Sequence, residues 1–449
     1  VEKVLRKPNG ATIFPVDFRQ KAEPLVITNG RVIDPVNGID KITNVILSDG
    51  VIKAVTDDIP AEFISKKRID ASGKWVIPGL MDMHVHLREP GREDKETIAT
   101  GTQAAAAGGF TAVACMPNTT PALDEESKIR YVIQHAEQCP SKIYPIGAIT
   151  KGLEGEELAP MGEMVRAGAR AVSDDGKSVA KSNIMRNAFN YTKPFNIPII
   201  CHCEDPALSQ KGHMNEGVVS TRLGVRGIPT IAEEIIVARD LLLAEYTQGR
   251  VHIAHVSTAG SVRVIRDAKK RGVNVTAETC PHYIAQTEED VGLYDTDKKM
   301  NPPLRTAKDR EIIIEGLLDG TIDVIASDHA PHVPEEKDVE FEAANFGVIG
   351  LETSFSVVNT YLVRKGILSP SEMVKKMSVV PNKILGVHGG SLTPGVPADI
   401  AIVNNETSWK VDPKNFFSKS RNTSFEGYQL QGFVAMTILD GHIVFKRKE

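Results

Sequence analysis

The chain has 449 residues, 41% hydrophobic and 25% charged, and its 53 basic and 58 acidic residues give a formal net charge of −5. This is ordinary globular usage, which excludes a disordered or fibrous chain, and the length suits one large barrel with accessories or two to three smaller domains. The mild acidity gives no electrostatic reason to expect a nucleic-acid partner or an anionic membrane. No segment approaches the roughly 20 apolar residues that span a bilayer, and the opening residues hold no apolar stretch of the signal-peptide kind. Five cysteines at irregular spacing do not form a disulfide framework, so a reducing cytoplasm is the expected location. The oligomeric state is left open, a homodimer included.

In chain order, residues 1–23 mix charge, Pro and Gly and form an extension of no evident role. Residues 24–55 alternate short β-branched runs with Asn-Gly, Asp-Pro and Asp-Gly, the pattern of small antiparallel strands and tight turns. The same style returns near the other end, in PGVPADIAIVNNETSWKV and FVAMTILDGHIVFKRK. The expectation is a small β-sandwich domain assembled from residues 24–75 and 386–449.

Between them, residues 76–385 alternate apolar strand-like runs with amphipathic helical stretches, which predicts a parallel sheet. The strand candidates are WVIPGLMDMHVH, FTAVACMPN, KIYPIGAIT, ARAVSDDG, IPIICHCED, RVHIAHVST, NVTAETCPHY and IDVIASDHAPH. Eight is the strand count of a (β/α)8 TIM barrel, in which the carboxyl ends of all strands meet at one face. Almost every candidate starts apolar and finishes in His, Asp, Asn, Glu or Thr, a gradient that a plain core does not need. An open doubly wound sheet fits less well, because no GxGxxG follows an early strand.

His84 and His86 lie two apart at the end of an apolar run, so a strand sends both to one side. His202 and His255 close two further candidates and Asp328 closes the last. Imidazoles and a carboxylate drawn from separate strand ends suit Zn²⁺, which takes N and O ligands at about 2.0–2.2 Å. If His202 points inward, Cys201 and Cys203 point toward the helices, and all five cysteines are read as buried apolar fillers. His252 precedes His255 by three and on a regular strand faces away; His135 and His442 are read as solvated or structural. A pair of metals needs an anionic bridge, and Asp174, Asp175 and a carboxylated Lys177 are all candidates in SDDGK.

The run DMHVHLREPG, followed by KETIATGTQAAAAGGFTAVACMPNT and later by NPPLR and ASDHAPH, resembles the dihydroorotases of the amidohydrolase superfamily. The resemblance spans roughly residues 24–445 and is closest to the bacterial type whose metal bridge is an aspartate. It implies two zinc ions per chain, one held by His84, His86 and Asp328 and the other by His202 and His255. Asp175 becomes the bridge, from its spacing to the His of HCED. Arg88, Asn118 and His332 resemble the groups that hold a substrate carboxylate, and Asn301 with the Phe346-Gly347 pair resembles ring contacts; His86 also faces the substrate. Asn345 departs from the pattern, where Pro is expected.

The implied reaction is reversible interconversion of N-carbamoyl-L-aspartate and (S)-dihydroorotate in pyrimidine biosynthesis, a small-molecule reaction. Opening a cyclic amide needs a nucleophile at neutral pH, a polarised carbonyl and a proton for the departing nitrogen. Metal ions supply the first two, and Asp328 is the expected proton carrier. A guanidinium grips a carboxylate with two parallel hydrogen bonds, so Arg88 separates this activity from allantoinases and hydantoinases, whose substrates lack that carboxylate. A catalytically silent scaffold is the rival from another class, but it would have been free to lose ligands. The loop PHVPEEKDVEFEAANFG is either a lid over the substrate or an ordinary solvated charged loop.

Overall fold

The computed structural model describes residues 3–448. Strands from both ends of the chain share one ten-stranded sheet. Leu25–Asp34 pairs antiparallel with Ile39–Ser48, which pairs antiparallel with Val51–Thr56. Trp75–Pro78 joins this group to the late strands, lying parallel to Leu25–Asp34 on one side and antiparallel to Ile400–Lys410 on the other. Ile400–Lys410 then pairs with Gln429–Leu439, and that strand with His442–Lys446. Two hairpins turn through Asp-Gly: Asp49 and Gly50 lie at φ 56° and 80°, Asp440 and Gly441 at 47° and 80°. Both residues at positive φ make the mirror-image turn that matches the twist of paired strands, and Asp-Gly tolerates it. Leu25, Ile27, Val45, Ile52, Ile400 and Ile438, drawn from both ends, form one buried cluster. Residues 5–13 join the same sheet, Thr12–Ile13 pairing with Phe445 and Lys446.

The middle of the chain supplies the parallel strands. Leu80–Val85, Phe110–Cys115 and Lys142–Pro145 pair in that order. Gly147–Ala148, Val172–Ser173, Ile199–Cys201, Val251–Ile253, Val275–Thr279 and Val324–Ile325 continue it. Beyond the last strand, Val85 meets His329 in a parallel bridge and His86 N donates to His329 O at 2.8 Å. Alternation sorts the side chains into two cores. Ile200, Ala112, Ala114, Ala171, Ala254 and Ala326 pack together on one face, where small residues leave room for the polar strand ends. Ile199, Cys201, Val113 and Val251 face the other way and pack with helix residues such as Phe189, Val237 and Leu241.

The helices begin where the sequence offers caps. Thr97 caps Ile98–Ala107, Thr258 caps Ala259–Lys270 and Thr306 caps Ala307–Leu318, each hydroxyl accepting a first-turn N–H. Gly108 ends the first of these, and a Cβ there would stand 2.2 Å from Leu351 O. All five cysteines are free and buried. Among the described residues no helix is long and apolar enough to cross a membrane.

Lys142 ties the two parts together. Its ammonium bridges Asp399 at 2.7 Å and Asp440 at 2.8 Å, linking a parallel strand to the terminal sheet. Lys142→Met leaves the buried Asp399 carboxylate without a cation; we expect a loss of about 2 kcal/mol, read as a lower urea midpoint at unchanged metal content.

Candidate metal centre and substrate cavity

The polar strand ends converge. His84 lies within Leu80–Val85, with His86 just beyond it. Asp175, His202, His255 and Asp328 each follow the end of a parallel strand, and all six side chains are buried. Asp175 sits in the middle: its Oδ1 is 3.3 Å from His84 Nε2, 3.7 Å from His255 Nε2 and 3.8 Å from His202 Nδ1, and its Oδ2 is 3.5 Å from His86 Nε2. Asp328 Oδ1 lies 3.1 Å from His86 Nε2 and 3.5 Å from His84 Nε2. His202 Nδ1 and His255 Nε2 face each other at 2.9 Å.

Two triads have metal-ligand spacing, His84 with Asp175 and His255, and His84 with His86 and Asp328. Buried polar atoms are normally paired, yet His84 Nε2 and Asp175 Oδ1 have no hydrogen-bond partner. Imidazole nitrogens and carboxylate oxygens that converge in this way and leave lone pairs unused fit a borderline divalent metal. Of the three bridge candidates only Asp175 is in the cluster. Asp174 is spent on the backbone N–H groups of Ile149 and Thr150 and on the Thr150 hydroxyl, and Lys177 Nζ donates to Leu153 O.

The orientation of the imidazoles is set by their other ring nitrogens. His84 Nδ1 donates to Glu278 Oε1 at 2.5 Å, and Glu278 Oε2 accepts from His252 Nε2 at 3.1 Å. Burial alone would raise the Glu278 pKa, but His84 and His252 outweigh it and hold the carboxyl well below its usual range. His86 Nδ1 donates to Asn118 Oδ1 at 2.8 Å, so Asn118 holds a ring as well as lining the cavity. Such partners fix the tautomer and leave the opposite nitrogen free for a metal.

His252 corrects the sequence reading. It pairs with Thr276 across the strands and shares the inward side with Glu278. The strand ends at Ile253, and His255, at φ 33°, turns inward after it. Strand parity therefore holds for His252 and fails for His255. Asp328 and Arg88 also lie at positive φ, 49° and 63°, conformations that cost non-glycine residues energy and concentrate at functional sites. Glu278 was overlooked entirely, although a glutamate inside the apolar run NVTAET was the available signal.

A cavity of about 240 Å³ opens above the cluster. Its wall contains every expected site residue except His84, which lies fully buried beneath it, and adds Gly176 and Ala330. A larger hollow of about 620 Å³ lies on the terminal sheet, lined by Lys67, Arg68 and Lys446 among others, and among the described residues no metal-ligand set converges there. In the smaller cavity Arg88 donates through Nε to Pro331 O at 3.1 Å and reaches His332 Nε2 at 3.4 Å. Burial lowers its pKa to about 10, so it stays cationic at neutral pH. His332 Nε2 lies 2.8 Å from Phe346 O and Nδ1 2.6 Å from Glu336 Oε2; burial lowers the ring's pKa to about 3, so the neutral imidazole donates to one of the two. Asn301 Oδ1 is buried without a partner. Gly347 lies at φ 128°, and a Cβ there would stand 2.8 Å from Ala330 Cβ.

The acidic loop after the last parallel strand is anchored. Lys337 Nζ donates to Asn345 O and Gly347 O at 3.0 Å, and Lys299 Nζ donates to Phe341 O at 2.7 Å while lying 4.6 Å from the Phe346 ring centroid. Asn345, where Pro was expected, thus supplies a carbonyl to a buried ammonium, and its N–H donates to Glu336 O at 3.0 Å. Proline could not make that second bond.

Solved structures share this architecture. An L-hydantoinase (dihydropyrimidinase) from Arthrobacter aurescens superposes with a TM-score of 0.85 at 25% identity, over 95% of this chain and 97% of that one. A dihydropyrimidinase from Brevibacillus agri gives 0.82 at 22% identity, over 95% and 96%. With the His and Asp cluster at the strand ends, this fold defines a metal-dependent amidohydrolase acting on cyclic amides. Residues 73–261 match the family described as Dihydro-orotase-like. A dihydroorotase from Syntrophotalea carbinolica is 52% identical over 423 residues, 94% of this chain and 99% of the relative, and one from Pelotomaculum thermopropionicum is 53% identical over 422 residues, 94% and 98%. The chain belongs to the dihydroorotase family.

Glu278→Gln should weaken metal retention by about tenfold or more, measured as metal per chain after dialysis against a graded chelator; unchanged retention would remove Glu278 from the support of His84.

Proposed function

We propose that the chain catalyses the reversible cyclisation of N-carbamoyl-L-aspartate to (S)-dihydroorotate and water in pyrimidine biosynthesis. The observation that carries the substrate is Arg88, a partly buried cation that lines the same cavity as the His and Asp cluster. An uncharged cyclic amide would leave this guanidinium desolvated and without an anion, whereas a ring carboxylate completes it.

On this reading His84, His86 and Asp328 would hold one zinc ion and His202 and His255 a second, with Asp175 within 3.8 Å of all four histidines. Bound metal supplies Lewis acidity, which lowers the pKa of water and polarises the ring carbonyl. The remaining work belongs to the chain. Arg88, with Asn118 and His332, holds the carboxylate. Asn301 Oδ1, buried and unpartnered, accepts from a ring N–H, and Phe346 with Gly347 closes the cavity against the ring. Asp328 takes the proton of the attacking water and returns it to the departing ring nitrogen; in the reverse direction it protonates the leaving oxygen. His86, 3.1 Å from Asp328, faces the same space.

The supporting scaffold in this reading is a closed (β/α)8 barrel over residues 76–385, with the Val85 to His329 bridge as its seam, and a β domain of residues 24–75 and 386–449 that the extension 1–23 lengthens at one edge. Five free, buried cysteines suit a reducing cytoplasm.

The direct test is incubation with N-carbamoyl-L-aspartate at mildly acidic pH, with formation of dihydroorotate as the expected result. Arg88→Met should reduce kcat/KM for dihydroorotate by about 100-fold or more and affect an uncharged cyclic amide far less; equal losses would refute the carboxylate assignment. Asp328→Asn should abolish most turnover in both directions, and near-normal rates would place the proton transfer elsewhere.

A further inference from the structure

We propose that Asn422, in the loop between Ile400–Lys410 and Gln429–Leu439, is a positioning residue that sets the substrate-carboxylate side of the cavity. The inference rests on the dihydroorotase reading above. Asn422 is 5% exposed and does not line the cavity. Its side chain nevertheless spends its hydrogen-bonding capacity on the segments that do. Oδ1 accepts from His332 N at 3.2 Å, while Nδ2 donates to Ala330 O and to Gly347 O, each at 3.1 Å. Its own carbonyl accepts from Ile349 N at 3.0 Å.

Ala330, His332 and Gly347 are cavity wall and come from two segments, which also meet in the His329–Val348 bridge and through Gly350 N donating to His329 Nδ1. Ala330 N donates to Val348 O at 2.9 Å, and the His332 ring meets Phe346 O. Asn422 fills the gap between the segments as a rung that a single primary amide can make, because it offers two donors and an acceptor from one rigid plane. The same loop grips the segment that follows Arg88. Ser420 Oγ donates to Lys95 O at 2.7 Å, Ser418 Oγ to Glu96 Oε2 at 2.5 Å and Lys419 N to Glu96 Oε1 at 3.0 Å. The loop thus holds the segments on both sides of the anion grip, the one after Arg88 and the one carrying His332, and makes no hydrogen bond to the six metal-cluster side chains.

This placement separates binding from chemistry. Loss of the rung lets His332 and Gly347 relax away from their productive separation while the cluster around Asp175 keeps its own partners. Asn422→Ala should therefore raise KM for dihydroorotate about tenfold and leave kcat within about threefold of wild type. Metal per chain and the thermal midpoint, measured on the same preparation, should stay near wild-type values. Asn422→Asp, isosteric and still able to accept from His332 N, loses both donors and sets an anion behind the grip; it should also raise KM selectively.

Unchanged KM in folded Asn422→Ala and Asn422→Asp proteins would overturn the assignment. So would a parallel fall of kcat, metal content and thermal midpoint without a KM effect, the signature of a purely structural residue. If Asn422→Ala does not fold, the aspartate variant alone decides by the same criteria. A wild-type chain that does not turn over dihydroorotate would instead overturn the functional reading on which the proposal rests.

Discussion

Everything near the strand ends follows from burying Asp175 among imidazoles. Taking a carboxylate out of water is costly unless opposite charge or hydrogen bonds replace its hydration. Asp175 Oδ1 has no hydrogen bond, only ring nitrogens of His84, His202 and His255 at 3.3 to 3.8 Å. Such a carboxylate calls for positive charge among the rings, and a divalent ion fits the converging ligand atoms. The constraint spreads outward. His84 must present Nε2, so its Nδ1 needs an acceptor, and Glu278 is buried to provide it; Glu278 in turn draws in His252. His86 needs the same service and Asn118 gives it.

The second constraint is the partly buried guanidinium of Arg88. Around it lie His332, the Pro331 carbonyl and, one contact further out, Glu336, which accepts from Arg92 and pairs with Lys95. The groups that hydrogen-bond to Arg88 are neutral, which leaves its donors for an anionic ligand, while Glu336 is engaged by two other cations. The buried ammoniums of Lys299 and Lys337 do different work, since they are satisfied by carbonyls and shape the loop that carries Phe346 and Gly347.

Much of this was legible in the sequence because strand ends are positional. Polar residues that close apolar runs mark one face of a parallel sheet, and His84, His86, His202 and Asp328 could be read from that alone. Parity located Cys201 and Cys203 on the helix side for the same reason. It misjudged His252, because period two applies only while the backbone remains extended, and the chain leaves the strand before His255. The choice of Asp175 over Asp174 came from family resemblance, since a strand-to-loop transition has no parity; the physical difference is that Asp174 already meets the Thr150 backbone. Asn422 was beyond reach. Its partners lie about 75 to 92 positions earlier, joined to it only by tertiary structure, and an asparagine in a Ser- and Lys-rich stretch looks like any loop residue.

The interleaving of the two chain ends in one sheet also orders events during synthesis. Trp75–Pro78 is made early, yet one of its edges is satisfied only by Ile400–Lys410. Until that late strand leaves the ribosome, a row of backbone groups beside the parallel core stands open, the kind of edge that recruits stray strands. The loop carrying Asn422 emerges later still. The residues of the histidine and aspartate cluster, the last of them Asp328, are therefore synthesised well before Asn422, the proposed brace of the anion grip.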